Sequence, residues 1–192
     1  MKTVIIDYGA GNMRSVVYAL NRLQVTPVIS SNFDEIKSAD KVIFPGVGEA
    51  AFAMQKLKKQ SLDKLIPELK NPVLGICLGM QLMCNKTEEG NTKGLGIFNT
   101  TVIEFKTKLN VPQMGWNNVD SNSNLLNDIS ENSDFYFVHS YYAETCENTS
   151  GVTTYDKDFS SVLEKDNFYG VQFHPEKSSK QGSQLIKNFI EL

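Results

Sequence analysis

The segment Pro72-Val73-Leu74-Gly75-Ile76-Cys77-Leu78-Gly79-Met80-Gln81 decides the fold. Residues 72–76 read as a buried strand, because a short apolar run bounded by turn residues fits a strand of a parallel sheet. Residues 78–85 read as the helix that follows. Gly75 and Gly79 suit so tight a strand-to-helix passage, which bulkier residues would crowd. The turn lifts Cys77 out of the sheet edge, which is the layout of a nucleophile elbow. A helix N-terminus favours a thiolate, and the Leu78 amide after it is free to donate to an oxyanion. The same stretch also fits a small buried cysteine that ends a core strand. The elbow alone therefore leaves both readings open.

Working outward, the chain alternates. Residues 3–8 form an apolar run, followed by Met13, Val16, Val17, Leu20 and Leu23 at the spacing of one helix face. Residues 26–30 read as a strand, 33–39 as a short helix, 41–45 as a strand and 50–59 as a helix with lysines on its solvated face. This order predicts βαβ units, hence a mostly parallel sheet covered by helices on both faces. Residues 102–106, 117–120, 135–143, 152–156, 161–165 and 169–173 read as strands joined by short turns, an antiparallel or mixed extension. Leu185, Ile186, Phe189 and Ile190 mark the buried face of a closing helix. The expected architecture is one α/β domain over residues 1–192, without repeats or a linker.

Composition narrows the chemistry. Of 192 residues, 41% are hydrophobic and 21% charged, and the net charge of −3 gives no electrostatic footprint for nucleic acid. No apolar stretch approaches the ~20 residues needed to cross a bilayer, and residues 3–6 are too short for a signal core. A cytoplasmic protein is the expectation. The 3 cysteines, an odd count without a CxxC pair, argue against a disulfide framework or a zinc site. No metal and no cofactor is expected. With 2 histidines in the chain, histidine chemistry rests on His139 or His174.

In Gly170-Val171-Gln172-Phe173-His174-Pro175-Glu176 the proline keeps His174 out of helix. An extended chain there would point His174 and Glu176, at i and i+2, to the same side. A carboxylate beside an imidazole fixes its tautomer and stabilises the imidazolium formed when it takes a proton from a thiol. His139, mid-strand in Phe137-Val138-His139-Ser140 without a nearby carboxylate, reads as structural. Pro45-Gly46-Val47-Gly48-Glu49 ends another strand, where open α/β sheets place their sites, and its backbone amides could serve an oxyanion hole. A valine peptide between two glycines is free to reorient, so its amide is expected to turn fully inward only with a partner or ligand bound. Gly9-Ala10-Gly11 lacks the third glycine of a dinucleotide fingerprint. Cys84 reads as core, and Cys146 lies in a polar stretch with no visible partner.

These segments resemble the class I glutamine amidotransferases, whose signatures G-x-C-x-G-x-Q and H-P-E stand here as Gly75-Ile76-Cys77-Leu78-Gly79-Met80-Gln81 and His174-Pro175-Glu176. Asp7-Tyr8-Gly9-Ala10-Gly11-Asn12, Pro45-Gly46-Val47-Gly48, Pro112-Gln113-Met114-Gly115-Trp116-Asn117 and Lys177-Ser178 are similar to the branch that forms the glutaminase subunit of imidazole glycerol phosphate synthase. The resemblance implies a flavodoxin-like α/β fold, a Cys77–His174–Glu176 triad and an oxyanion hole from Val47, Gly48 and Leu78. It implies that Gly46, Gln81, Glu89, Ser140 and Tyr141 hold L-glutamine. It further implies a separate cyclase partner with a (β/α)8 barrel, met as a heterodimer through Asn12, Trp116, Tyr136 and Lys177. Two rivals are weaker. The glutaminase of pyridoxal phosphate synthesis carries Gly-Gly-Glu-Ser where this chain has Pro-Gly-Val-Gly. Cysteine peptidases and chaperones of the related flavodoxin-like superfamily lack the C-terminal His-Pro-Glu.

Overall fold

The computed structural model describes residues 1–10 and 12–192, so Gly11 of the Gly9-Ala10-Gly11 segment lies outside the described residues. The first half alternates as expected. β1 (Thr3–Ile6) leads to α1 (Met13–Arg22), β2 (Val28–Ser30), α2 (Phe33–Lys37), β3 (Lys41–Gly46) and α3 (Ala50–Lys59). A further short helix, α4 (Leu62–Leu65), precedes β4 (Val73–Cys77) and α5 (Leu78–Met83). Asn32 starts α2 by accepting hydrogen bonds from the amides of Asp34 and Glu35 through its side chain.

The second half is mostly strand: β5 (Cys84–Thr87), β6 (Thr92–Lys93), β7 (Phe98–Glu104), β8 (Gln113–Asn118) and β9 (Asp120–Ser121). It continues with β10 (Asp134–His139), β11 (Tyr141–Ala143), β12 (Thr149–Tyr155), β13 (Lys157–Lys165) and β14 (Phe168–Val171), and closes with α6 (Ser179–Glu191). The main sheet runs β2-β1-β3-β4-β14-β13-β11-β7-β5-β6. Its first five strands are mutually parallel. Beyond β14 the pairing turns antiparallel, apart from β5 on β7. β12 joins β13 and β9 off this path, and β8 and β10 form a separate antiparallel ribbon.

Alternating side chains of each parallel strand feed a core on each face. Val4, Ile6, Val42 and Phe44 pack with Ala53, Met54 and Leu57 of α3 and with Leu62 and Leu65 of α4. Ile5, Ile43, Leu74 and Ile76 pack with Val16, Ala19 and Leu20 of α1 and with Leu185, Ile186 and Phe189 of α6.

Four expectations need correction. The helix expected over 78–85 ends at Met83, and Cys84, extended at φ −71° and ψ 174°, opens β5 instead. Cys84 is nonetheless core. The strand expected over 117–120 divides into β8 and β9, and β7 starts at Phe98 rather than at 102. The strand expected over 135–143 is β10 and β11, which belong to different sheets and part at Ser140. Burial alternates regularly through Phe135, Phe137 and His139 and then slips phase, with Tyr142 and Ala143 the next buried side chains. The His139 ring closes that turn with a 2.7 Å contact from Nδ1 to the Tyr141 carbonyl.

Candidate active site

Gly46 at the end of β3 is in register with Cys77 at the end of β4, and Val171 of β14 with Ile76. The Gly46-Val47-Gly48 loop, Cys77 and the chain leading to His174 therefore leave three neighbouring strands at their carboxyl ends. Cys77 sits as the N-cap of α5 at φ 52° and ψ −109°, a backbone conformation that L residues rarely adopt. Its strain is sustained by close backbone packing. A Cβ on Gly79 would lie 2.0 Å from the Phe44 carbonyl oxygen, and one on Gly46 would lie 2.4 Å from the Gly79 nitrogen. β3 and the first turn of α5 thus touch through bare backbone. Leu78 N–H, first in the helix, has no intrahelical acceptor, and it opens beside the Gly46-Val47-Gly48 loop. Gly48 takes φ +94°, and Tyr8 anchors the loop's base by donating its hydroxyl to the Pro45 carbonyl at 2.9 Å.

His174 Nδ1 lies 2.8 Å from Glu176 Oε1, and both side chains are 2% exposed. The contact arises differently from the expectation. His174 is extended at φ −102° and ψ 94°, but Pro175–Lys177 is a single 3-10 turn that folds Glu176 back beneath the ring. Proline favours such a first-turn position, where its missing N–H leaves no bond unmade. The turn is tied down from outside: His174 N–H donates to the Tyr136 carbonyl at 2.9 Å, and Ser178 Oγ donates to the His174 carbonyl at 2.7 Å. Burial pulls the imidazole's pKa down, but hydrogen bonds and charge from Cys77 and Glu176 outweigh it and hold the ring up at about 10. With Nδ1 on Glu176, Nε2 is the nitrogen left for the thiol.

A cleft of ≈ 360 Å³ opens over this group, lined by Val47, Gly48, Leu78, Gln81, Glu89 and Tyr141 among others. That volume suits a small metabolite. Ser140 also lines it, at the break between β10 and β11. Gly46 lies just behind, against α5. Gln81 Nε2 donates to the Tyr141 carbonyl at 2.9 Å and to Gln172 Oε1 at 2.8 Å, which leaves its own oxygen for a ligand. Glu89 Oε2 accepts from the Ala50 amide at 2.8 Å, so this carboxylate also caps α3. Burial pushes its carboxyl pKa up, and Glu49 adds to that against the Ala50 bond.

His139 lines the cleft but is fully engaged: Nδ1 contacts the Tyr141 carbonyl and Nε2 the Gln113 carboxamide at 2.9 Å. Burial, with His174's charge, lowers it to about 4, so the ring is neutral and structural as read from sequence. Sequence reasoning gave no role to Gln172, whose Nε2 lies 3.6 Å from Cys77 Sγ. Its place inside the segment that ends in His174 was the only signal.

Of the residues expected at a partner interface, Trp116 is 53% exposed and meets the half-buried Tyr136 edge-on at 5.9 Å between ring centroids. Lys177 Nζ stands 5.9 Å from the Tyr136 ring centre and lines the cleft mouth. Asn12 precedes α1, which packs on the Pro175–Lys177 turn, and its amide donates to Ser15 Oγ. Among the described residues there is no cluster of three or more His, Cys, Asp or Glu fit for a metal, and no helix long and apolar enough to cross a membrane.

A thiol held at a strained strand-to-helix turn, with an imidazole and a carboxylate just beyond the end of the neighbouring strand, is the arrangement of a cysteine-dependent amide-cleaving enzyme of the α/β class. The chain belongs to the glutamine amidotransferase class-I family, whose model matches residues 4–192. It is 54% identical to the imidazole glycerol phosphate synthase subunit HisH of Bacteroides fragilis (strain YCH46), with 100% of each chain covered. The subunit of the same description from Pectobacterium atrosepticum is 47% identical over 100% of each chain. Among solved structures, a glutamine amidotransferase matches with a TM-score of 0.75 at 16% identity, covering 98% of this chain and 97% of that one. PurLQS from Thermotoga maritima matches at 0.71 with 15% identity, covering 99% and 97%. The two structures share its fold.

Proposed function

We propose that this chain is the glutaminase subunit of an imidazole glycerol phosphate synthase, acting as one domain over residues 1–192. The observation that carries the reading is the His174–Glu176 contact of 2.8 Å beside a strained Cys77. Cys77 passes its thiol proton to His174 Nε2, and Sγ attacks the side-chain carboxamide carbon of L-glutamine. The oxygen of the tetrahedral adduct takes hydrogen bonds from Leu78 N–H and from the Val47 and Gly48 amides. His174 Nε2–H protonates the leaving nitrogen, and the C–N bond breaks to give ammonia and a glutamyl thioester. Water then adds to the thioester carbon, giving its proton to His174. The collapse releases glutamate and returns Cys77. Glu176 keeps Nδ1 protonated and in place throughout. Gln81, Glu89, Ser140 and Tyr141 hold the amino-acid end; Gly46, also expected there, packs against α5 behind the cleft and instead sets the spacing of its floor.

The ammonia serves a separate cyclase subunit, a (β/α)8 barrel that docks as a heterodimer partner on the Asn12, Trp116, Tyr136 and Lys177 face. There it completes imidazole glycerol phosphate and an aminoimidazole carboxamide ribotide. The 54% identity to a HisH subunit over the full chain supports this assignment. A cytoplasmic setting fits the free thiols of Cys77, Cys84 and Cys146.

Glutamate release tests the reading. Release is expected to be weak from the chain alone, to rise with the cyclase subunit and its nucleotide ligand, and to vanish in Cys77→Ala. Strong release without a partner would point to another amidotransferase branch and would remove the gated Val47 amide. No release under any condition would make the chain a scaffold.

A further inference from the structure

We propose that Gln172 is a further catalytic residue: its carboxamide N–H donates to Cys77 Sγ, at the end of a relay whose direction the Tyr141 carbonyl fixes. The inference rests on Cys77 being the nucleophile. A carboxamide can ordinarily be turned end for end, since its oxygen and nitrogen scatter alike. Here the hydrogen bonds choose. The Tyr141 carbonyl can only accept, so Gln81 must present its NH2 group there, at 2.9 Å. The same NH2 group meets Gln172 at 2.8 Å, and the Gln172 atom in that contact must be its oxygen. That leaves the Gln172 NH2 group, 3.6 Å from the sulfur.

Gln172 is fully buried, and its backbone N–H is held by the Ser161 carbonyl at 2.9 Å. The donor is therefore not free to swing away. Cys77 itself is 7% exposed, so water has little access to a sulfur anion there. Negative charge that develops on the sulfur would meet His174 on one side and the Gln172 NH2 group on another. Hydrogen bonds to charged groups are stronger than those between neutral ones. A fixed donor also sets the side-chain rotamer from which sulfur attacks.

The test is the pH profile of Cys77 alkylation by iodoacetamide in the full chain and in Gln172→Met, which keeps the volume and removes the donor. The midpoint is expected to rise by about one pH unit. With the cyclase subunit present, kcat should fall by about tenfold or more and KM for glutamine should change less. A superimposable alkylation profile with a raised KM would overturn the proposal, because Gln172 would then only prop Gln81. Should Gln172→Met fail to fold, the Gln172 side-chain amide resonances of the unsubstituted chain carry the test. They should titrate with Cys77 and lose that titration in Cys77→Ala, and pH-independent resonances would sink the relay. A parent chain that releases no glutamate, yet shows this coupling, would end the glutaminase reading and leave the relay standing.

Discussion

His139 and His174 occupy neighbouring positions around one cleft, and their surroundings drive them in opposite directions. His139 is lowered to about 4, chiefly by burial, and His174 is raised to about 10 against burial by Cys77 and Glu176. Relative to an unfolded value near 6.5, these shifts have opposite consequences for stability. Between pH 6.5 and 4 the unfolded chain takes up a proton at position 139 that the folded chain refuses. That contribution, about 3 kcal/mol, is present above pH 6.5 and is lost as pH falls toward 4. Above pH 6.5 the folded chain keeps a proton on His174 that the unfolded chain releases, so this contribution is complete below 6.5 and lost as pH rises toward 10. Urea unfolding from pH 4.5 to 9 should show a shallower acid limb in His139→Gln and a shallower alkaline limb in His174→Gln. The grouping of Cys77, His174 and Glu176 was legible because each sits in a short motif with its own local chemistry. Gln172 was not, since the partners that give it meaning, Gln81 and Cys77, are distant in sequence and meet it only once β4 and β14 are paired.

Among the elements, those with a strong local pattern were read closely, and residues 50–59 match α3 in full. Those whose fate depends on pairing were not. Residues 135–143 carry an uninterrupted β-type composition, and nothing within them says that one half pairs with β8 and the other with β7 and β13. The Pro175 turn is a similar case: the sequence excluded helix at His174 but did not distinguish extended chain from a single 3-10 turn. The contact between β3 and α5 yields a sharp expectation. In Gly79→Ala the new methyl would lie 2.0 Å from the Phe44 carbonyl oxygen, a backbone atom that cannot rotate away. The gain in helix propensity, about 1 kcal/mol, is outweighed by overpacking of about 3 kcal/mol. A lowered urea midpoint, together with lost glutaminase activity, is the expected outcome; a variant as stable as its parent would show that the two elements can part without cost.

For the whole molecule, the parallel strands carry their site at one edge, and the β8–β10 ribbon stands beside it with an exposed aromatic face. Trp116 is half exposed and leans on Tyr136, so its removal costs the folded chain little. An aromatic anchor at a docking face is where binding energy concentrates. Trp116→Ala is therefore expected to leave the melting temperature within a few degrees and to weaken cyclase binding more than tenfold by calorimetric titration.

The parting of the chain at Ser140 gives this ribbon a mechanical meaning. Six cross-strand pairs, from Asp134 with Asn118 to His139 with Gln113, make it a stiff plank. The plank is pinned at Tyr136, whose carbonyl accepts from the His174 backbone N–H and whose own N–H donates to Ser178 Oγ. It ends at Ser140, where the chain changes sheets and the cleft begins. A displacement at Trp116 would therefore have a short route to the His174 backbone through Tyr136 and to the cleft wall through Ser140.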